Sequence, residues 1–269
     1  MTVEPMKTLT VLALVATIAL PAAGQQAPGG DTFKWNGKVP AGRWIRIKNL
    51  NGDITVGPAK GDNVEVVATK HARRGDPSVV RFTTDTYGGD VVICALWGES
   101  SSCNERSYNI RGNRDRGLRN NDVTVEFKVL VPRGVKVSTH TVNGALTVDG
   151  VTSEVDAETV NGEVTVATTG GRMNASNVNG NVRARLGRID DDADPMQFQT
   201  VNGNVIVEFN GEFGGDVDLE TVNGSLNTNF EMTVSGRLDP KHLRAHIGKP
   251  GGPRIKLETV NGNVELYRR

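Results

Sequence analysis

The 269-residue chain has few aromatic residues and no excess of charge of either sign. Aromatic side chains make up 5% of it, and 31 basic residues balance 31 acidic ones. This balance excludes a global field that would attract nucleic acid or acidic lipid. Few aromatics and 32 glycines argue against a large globule packed around aromatic rings, whereas many Val, Thr and Asn residues suit thin sheets with frequent turns.

Long apolar runs are also scarce, and the clearest one lies at the N-terminus. Leu9 to Leu20 is apolar, follows Lys7 and precedes small residues. The run is shorter than the roughly 20 residues that span a bilayer, and the pattern is typical of a secretory signal peptide cleaved before Gln25. We therefore expect export to the periplasm, the cell surface or the medium, with no transmembrane segment in the mature chain.

Cysteine is limited to Cys94 and Cys103. An exported chain meets oxidising conditions, so the pair predicts a disulfide that closes a short loop. On the chain-entropy account, such a bond stabilises the fold by about 3 kcal/mol. The spacing is not CxxC and no histidine lies close in sequence, which disfavours a redox or metal role.

One short motif is abundant, because seven copies of Asn-Gly align with the same flanking pattern. Successive copies between Asn143 and Asn223 are 18 to 23 residues apart, a period that marks a repeat architecture. A longer gap before the last copy holds TVSGRL (233–238), a candidate degenerate remnant. The predicted corner residues are Asn51, Gly52, Asn143, Gly144, Asn161, Gly162, Asn179, Gly180, Asn202, Gly203, Asn223, Gly224, Asn261 and Gly262.

The residues around each Asn-Gly alternate with period two. In the copy TVNGEVTV, Ala157 and Thr159 precede Asn161 at every second position, and Val164 continues the pattern after Gly162. Such alternation predicts strands with one buried face. The Asn-Gly between two strands predicts a corner, because both residues tolerate positive φ.

Two all-β folds fit this pattern. In an antiparallel meander or sandwich, Asn-Gly closes a type I′ hairpin that pairs Thr159 with Val164. In a single elongated β-solenoid, each period of about 18–23 residues is one coil, and equivalent residues stack about 4.8 Å apart. Independent hairpins usually vary in turn sequence, whereas stacked coils place Asn on Asn, where side-chain amides bond along a ladder. The constancy of the repeat favours the solenoid.

These patterns divide the chain into four segments. We predict a signal peptide (1–24), a flexible lead-in (25–32), an N-terminal β segment with the disulfide loop that caps the array (33–134), and the regular repeat array (135–269). Residues 98–122 are polar and glycine-rich, which predicts a surface loop. Open coils must be blunted, and Tyr267 to Arg269 is expected to close the far end with charge.

Three stretches carry a resemblance to a known family: FKWNGKVPAGRWIRIKNLNGDITV (33–56), VTVEFKVLVPRGVKVSTHTVNG (123–144) and GGPRIKLETVNGNVELYRR (251–269). With them the chain resembles a bacterial family of putative adhesins, which are exported domains of unknown function. The resemblance covers residues 33–269. It implies a three-sided, β-helix-like solenoid in the cell envelope or secreted, and it carries over no catalytic residues.

Lyases and hydrolases of polysaccharides also use β-helices, so the positions of the carboxylates bear on whether the protein is an enzyme. Such chemistry needs clustered carboxylates with Lys or Arg, or two carboxyls at glycosidase spacing. Glu158, Glu220 and Glu258 share one outward repeat position, which is typical of a solubilising face. The run Asp190 to Asp194 lacks the spacing with which one loop wraps Ca²⁺, which favours a solvated loop.

Histidine and arginine motifs give no site either. His242 and His246 have the i, i+4 spacing of a helical metal pair without the Glu of HExxH. His71 and His140 have no nucleophile close in sequence, and the tripeptide RGD (74–76) is frequent by chance. Five arginines make the long loop basic, which suits an anionic glycan or lipid headgroup but more often indicates ordinary solvation: Arg106, Arg111, Arg114, Arg116 and Arg119.

The sequence therefore predicts a non-enzymatic exported β-solenoid without catalytic residues, metal or cofactor. Its function is that of an adhesin or a cell-envelope binding or scaffold protein, with an envelope polymer, a glycan or another protein as partner and no nucleic acid. One alternative is a β-helix glycan-processing enzyme, which a cleft of convergent carboxylates with arginine would support. A second is a structural or signalling spacer.

Overall fold

The computed structural model describes residues 31–110, 121–187, 189, 194–234, 236, 239–248 and 252–269; the predicted signal peptide lies outside them. A short 3₁₀ helix (Pro77–Val79) accompanies the strands. No helix in these ranges is long and apolar enough to cross a membrane. The strands are β1 (Thr32–Gly37), β2 (Trp44–Lys48), β3 (Ile54–Pro58), β4 (Val64–His71), β5 (Val80–Tyr87), β6 (Asp90–Trp97), β7 (Ser102–Cys103), β8 (Tyr108–Asn109), β9 (Thr124–Val131), β10 (Lys136–Asn143), β11 (Leu146–Val151), β12 (Val155–Asn161), β13 (Val164–Thr168), β14 (Met173–Ser176), β15 (Val182–Leu186), β16 (Met196–Asn202), β17 (Val205–Phe209), β18 (Gly215–Asn223), β19 (Leu226–Thr228), β20 (Thr233–Val234), β21 (His242–Ile247), β22 (Arg254–Asn261) and β23 (Val264–Arg268).

Nearly all of these strands belong to two large sheets. Sheet A has 10 strands in the order β1-β4-β9-β3-β11-β13-β15-β17-β23-β19. Sheet B has 11 strands in the order β5-β6-β2-β10-β12-β14-β16-β22-β18-β21-β20. A small third sheet pairs β7 with β8.

Each coil of the array contributes one strand to each sheet. The chain runs along β10 in sheet B, turns at the Asn-Gly corner into β11 of sheet A, and returns to sheet B as β12. Successive coils pair in parallel, with Val137 opposite Val155 in sheet B and Leu146 opposite Val164 in sheet A. The predicted all-β solenoid is confirmed.

The solenoid has two strand-bearing sides rather than the three that the resemblance implied. Between β11 and β12 the chain has only residues 152–154. Three residues are too few for a turn, a third strand and another turn. The two sheets therefore face each other across one core.

The alternative of an antiparallel meander is wrong for the array. Thr159 lies opposite Thr141 of the preceding coil, and Val164 lies opposite Leu146, so Thr159 and Val164 do not form a hairpin pair. In the described strands of sheets A and B, antiparallel pairing is confined to the ends: β4 with β1 and β9, β5 with β6, and β21 with β18 and β20. These strands blunt the open coils.

The coils do not stack in sequence order at either end. The last coil, β22 and β23, inserts between β16 and β17 on one side and β18 and β19 on the other. At the opposite end, β6 and β9 lie outside β2 and β3. The prediction that Tyr267 to Arg269 closes the array is therefore wrong, because β23 is paired on both edges.

The long interval before the last Asn-Gly holds an excursion rather than a hidden coil. Its described strands β20 and β21 pair antiparallel and cover the far end of sheet B. Of the predicted remnant TVSGRL, Thr233 and Val234 form β20, while residues 235, 237 and 238 lie outside the described chain. Because β20 and β21 pair antiparallel, this interval adds no further parallel coil to the array.

One hydrophobic core runs between the two sheets. Alternate residues of each strand point inward, and Phe198, Met196 and Leu146 are among the largest fully buried side chains. The core extends from Phe33 in β1 to Leu266 in β23. The segments before and after residue 134 both contribute side chains to this core. The division of the chain at residue 134 therefore stays a prediction.

Candidate binding face

Two residues before the corner Asn, five of the seven corners have a buried threonine whose hydroxyl is hydrogen-bonded. Thr159 donates from Oγ1 to the carbonyl oxygen of Gly144 in the adjacent coil at 3.1 Å. Its equivalents Thr200 and Thr259 do the same to Gly180 and Gly203. A buried hydroxyl without a partner costs free energy, so the hydrogen bond explains a polar residue on the inward face.

The corner asparagines form a ladder along the axis. Five hydrogen bonds of 2.8 to 2.9 Å join the side chains, each Nδ2 donating to the Oδ1 of the neighbouring coil, as the constancy of the repeat predicted. Charge-free amide ladders of this kind tie stacked strands together. In spatial order the ladder contains Asn143, Asn161, Asn179, Asn202, Asn261 and Asn223.

Glycine at the corner is required by close approach. A Cβ on Gly162 would lie far inside van der Waals contact with the Gly144 carbonyl group, and one on Gly203 would do the same to Gly180. The φ of Gly162 is 156°, and Asn161 ends β12 as a strand residue in the parallel ladder. The predicted positive φ is therefore found at the glycine of six corners, whereas Asn161 is extended, and the stacking of one corner on the next is a second reason for glycine.

The corner valine is the one motif residue that points outward. It precedes each Asn on the outer face of sheet B, where four copies remain exposed: Val178 (38%), Val201 (39%), Val260 (36%) and Val222 (57%). Leu50, Val142 and Val160 continue the row with partly buried side chains. We call these seven residues the valine row. Leu50 packs against the core, but core packing does not explain the four exposed valines.

A polar groove lies beside the valine row on the same face. It has a volume of about 360 Å³ and its floor consists of outward residues from β10, β12, β14 and β16. Asn174 donates from Nδ2 to Asp156 at 3.0 Å, and Gln197 donates from Nε2 to Gln199 at 2.9 Å. The outward polar residues of this groove are Ser138, His140, Asp156, Glu158, Asn174, Ser176, Gln197 and Gln199.

His140 and Glu158 form the charged part of the groove. Their side chains approach to 3.4 Å between Nδ1 and Oε2. The hydrogen bond with the His140 side chain holds the pKa of Glu158 below its usual range. The outward direction predicted for Glu158 agrees with its exposed side chain. Glu158 is thus held as an anion beside neutral amides.

The disulfide loop borders the groove at one end. Cys94 and Cys103 are bonded, with 6.5 Å between their Cα atoms, which confirms the predicted disulfide. The hairpin of β7 and β8 covers the outer side of β6. Lys48 donates from Nζ to two loop carbonyl groups at 2.9 Å each, and burial lowers its pKa.

Tyr108 projects from this loop toward the groove. Its hydroxyl donates to the carbonyl oxygen of Ala95 at 2.6 Å, and burial raises the pKa of the phenol. Its ring meets the His140 ring edge to face, with 5.9 Å between the centroids. The loop therefore supplies an aromatic wall above a polar floor. Of the basic loop residues, Arg106 is described; Arg111, Arg114, Arg116 and Arg119 lie outside the described chain.

A cluster of acidic, histidine and arginine side chains lies at the other end of the face. Antiparallel pairing of β18 with β21 brings Asp216 opposite His246 and Asp218 opposite Arg244. His246 contacts Asp216 at 2.9 Å, and Arg244 contacts Asp218 at 3.2 Å. With Arg254, these carboxylates and Arg244 line a cavity of about 330 Å³.

His242 completes this cluster and could be a metal ligand by position. Its Nε2 lies 2.9 Å from Asp218, and the donor atoms of Asp218, Glu220 and His242 lie within 4.8 Å of one another. Arg244 and Lys256 already pair with the two carboxylates. The set is thus charge-balanced by the protein, and the expectation of no metal site stays a prediction.

The segment HLRAH is a strand, β21, and not the short helix that its histidine spacing suggested. His242 and His246 are four strand residues apart, or about 13 Å, so they bind separate partners. The sequence carries a signal for this cluster that the histidine spacing alone does not reveal. DVDLE and HLRAH each place charged residues at every second position, which is the pattern of two complementary neighbouring strands.

Of the three glutamates at the shared repeat position, only two lie on neighbouring strands. Glu220 of β18 lies opposite Glu258 of β22, and Lys256 pairs with both. The hydrogen bond to Glu258 raises the pKa of Lys256. Glu158 is separated from them by β14 and β16. Asp194 is the described member of the acidic run, whose residues 190–193 lie outside the described chain.

The RGD turn is organised by a carboxylate distant in sequence. Asp122 accepts from the backbone N–H groups of Gly75 at 2.8 Å, of Arg74 at 3.2 Å and of Arg73 at 3.3 Å. These hydrogen bonds lower the pKa of Asp122, and the one from Gly75 has the largest effect. Arg74, Gly75 and Asp76 are thereby committed to a local turn.

We expect this turn to open as the pH falls. Because folding lowers the pKa of Asp122, its contribution is present above the unfolded-state pKa and is lost as the pH falls through the folded-state pKa. Amide hydrogen exchange at Arg74 and Gly75, corrected for the intrinsic pH dependence, should lose protection in acid. Asp122→Asn should show weak protection at every pH, and Asp62→Asn should match the wild type. Equal protection in all three proteins would contradict the assignment.

The fold and face define a class of protein: a parallel, two-sheet β-solenoid with repeated Thr-Val-Asn-Gly corners and one open polar face. The chain belongs to the Toastrack DUF4097 family, which matches residues 38–267. No curated protein matches it.

Two solved structures are similar to this chain at low identity. One is a putative cell adhesion protein from Clostridium sporogenes ATCC 15579, with 10% identity, a TM-score of 0.48, and 88% of this chain and 100% of that chain covered. The other is a putative adhesin from Bacteroides fragilis NCTC 9343, with 10% identity, a TM-score of 0.34, and coverage of 90% and 99%. The family match confirms the predicted resemblance to a family of domains of unknown function.

Proposed function

We propose that this protein is an exported, non-enzymatic, adhesin-like binding protein whose sheet B face binds an extended glycan of the cell envelope or of another surface. The observation that carries the proposal is the polar groove of about 360 Å³ beside the valine row. Hydroxyl and amide groups of Ser176, Asn174 and Gln197 offer both donors and acceptors. Sugar hydroxyls need such groups, and sugar C–H faces suit the valines and Tyr108.

The regular stacking supports a polymer rather than a small ligand. Equivalent outward residues recur in every coil about 4.8 Å apart, so the face offers a series of weak contacts along one axis. Solenoids create extended binding surfaces in this way. Export is supported by the apolar N-terminal run and by the Cys94–Cys103 disulfide, a bond typical of oxidising compartments.

The test is binding of the purified protein to a polysaccharide array, followed by titration calorimetry. We expect Asn174→Ala with Gln197→Ala to weaken binding at least about tenfold, because two hydrogen-bonding groups contribute about 1 kcal/mol each. The matched control, Thr165→Ala with Asn227→Ala, removes polar groups from the outer face of sheet A and should bind like the wild type. Absence of binding to any polysaccharide would instead support the structural or signalling spacer.

A glycan-processing enzyme is the second candidate, because one observation favours it. Asp216 and Asp218 with Arg244 and Arg254 form the cavity of carboxylates and arginines that such an enzyme would need. Each carboxylate already pairs with a histidine or arginine, which favours a structural role. Release of reducing or unsaturated sugar ends from a bound polysaccharide, abolished by Asp218→Asn, would establish the enzyme and overturn the non-enzymatic proposal.

A further inference from the structure

Asn-Gly is the sequence at which a side-chain amide is lost most readily, because glycine does not hinder attack by the following backbone nitrogen. That nitrogen gives its proton to a solvent base and its electron pair attacks Cγ of the asparagine. The Cγ–Nδ2 bond breaks, ammonia leaves, and a five-membered succinimide forms. Water then opens the ring at one of its two carbonyl carbons. The net reaction converts amide and water into aspartate or isoaspartate and ammonia.

Six of the seven corners hold the attacking nitrogen in a hydrogen bond. In each, the glycine N–H donates to the backbone carbonyl of the asparagine in the next coil, at 2.7 to 3.1 Å. The nitrogen must leave this bond and approach its own side chain before it reacts, which requires local opening of the stack. The donor glycines are Gly52, Gly144, Gly162, Gly180, Gly203 and Gly262.

The side chains are held as well. In the four inner members of the ladder, Nδ2 donates to one neighbour and Oδ1 accepts from the other. Rotation of Cγ toward the backbone nitrogen therefore breaks two hydrogen bonds. The inner members are Asn161, Asn179, Asn202 and Asn261.

The corner Asn223-Gly224 differs from the others in its backbone nitrogen and in its side chain, because it is the last corner of the stack. The strand beyond it, β21, pairs with residues from Gly215 to Glu220 of β18 and does not reach the corner. Within the described chain, no acceptor meets the backbone N–H of Gly224, and the Asn223 side chain makes one ladder bond, from Nδ2 to Asn261 at 2.9 Å. Asn223 is also exposed to water.

We propose that, among the seven corners, Asn223 is the selective site of spontaneous deamidation, and that stacking protects the other six. Two further Asn-Gly sequences, Asn36-Gly37 and Asn210-Gly211, lie outside the stacked corners. The site results from the stacking order, since Asn223 is the sixth copy along the chain and the seventh, Asn261, lies inside it. The sequence alone assigns no such difference, because all seven corners share the reactive dipeptide.

Modification would change the end of the ladder. Replacement of the Asn223 amide by a carboxylate removes the donor to Asn261 and sets two acceptor oxygens against each other. Lys241 contacts the carbonyl oxygen of Gly224 and places a cation near the new charge. An isoaspartate would in addition lengthen the backbone by one carbon at the corner. Both products would weaken the attachment of β18 and β19 to the last coil.

The experiment is incubation of the folded wild-type protein at mildly alkaline pH, followed by peptide mapping with mass spectrometry and isoaspartate labelling. We expect Asn223 to lose its amide at least about tenfold faster than any other corner asparagine, because the others require local opening. The same chain unfolded in urea should lose amides at all seven corners at similar rates. Asn223→Gln, which would have to form a larger ring, should eliminate the fast phase in the peptide that contains residue 223, whereas the peptide that contains Asn210-Gly211 should react as in the wild type.

Three results would overturn the proposal. Asn223 could react no faster than Asn161 in the folded protein. Asn223 could keep its advantage in urea, which would assign the effect to local sequence. The fast phase could also persist in Asn223→Gln, which would assign it to another residue.

Discussion

Replacement of Gly162 by alanine is expected to lower the free energy of unfolding by about 3–5 kcal/mol, near the upper end for single substitutions. The new Cβ would collide with the Gly144 carbonyl group in the adjacent coil. That oxygen accepts the hydrogen bond of Thr159, so moving it aside would leave a buried hydroxyl without its partner. Urea unfolding followed by circular dichroism measures the change.

Two other glycines separate collision from backbone strain. Gly211 has a φ of 119° and no atom within 4 Å of an added Cβ, so Gly211→Ala should cost about 1 kcal/mol through strain alone. Gly61 has neither a left-handed φ nor a close neighbour, and Gly61→Ala should be neutral or slightly stabilising. A cost at Gly162 no larger than at Gly211 would mean that the corners do not stack as described.

Leu266→Ala is expected to cost about 2–5 kcal/mol, like Leu146→Ala in the centre of the array. Leu266 lies in β23, the last strand of the sequence, and its exposure is 0%. It is buried because β23 pairs on one edge with β17 and on the other with β19. In an array stacked in sequence order, the last strand would be an edge and the same change would be mild.

The matched control is Leu226→Ala. Leu226 lies earlier in the chain but in β19, the edge strand of sheet A, and it is only partly buried. We expect it to cost clearly less than Leu266→Ala. The reverse ranking, measured by the same urea unfolding, would show that the last coil lies at the end of the stack after all.

Local features of the fold were predictable because they depend on neighbouring residues. Alternation around Asn161 identified inward and outward positions, and the constancy of Asn-Gly identified the ladder. Cys94 and Cys103 lie close enough in sequence for a loop closure to be inferred. These conclusions need no knowledge of which coil lies beside which.

The order of the coils was not predictable, for a physical reason. All copies present the same Asn and Gly groups to a neighbour, and five of the seven also present the same Thr, so the stacking free energy of one such copy on another is similar. The choice is made by the connections, such as the excursion through β20 and β21, whose pairing is long-range. For the same reason the Asp218, Arg244 and His242 cluster became visible only when β21 was placed against β18.

The position of β22 and β23 has a consequence for the order in which the strands fold during synthesis. Coils that stack in sequence order can fold one after another as the chain emerges. Here β18 and β19 emerge before β22 and β23, yet they reach the array only through them. The segment from β18 to β21, in which β21 pairs antiparallel with β18 and β20, can therefore join the array only when the last described strand is present.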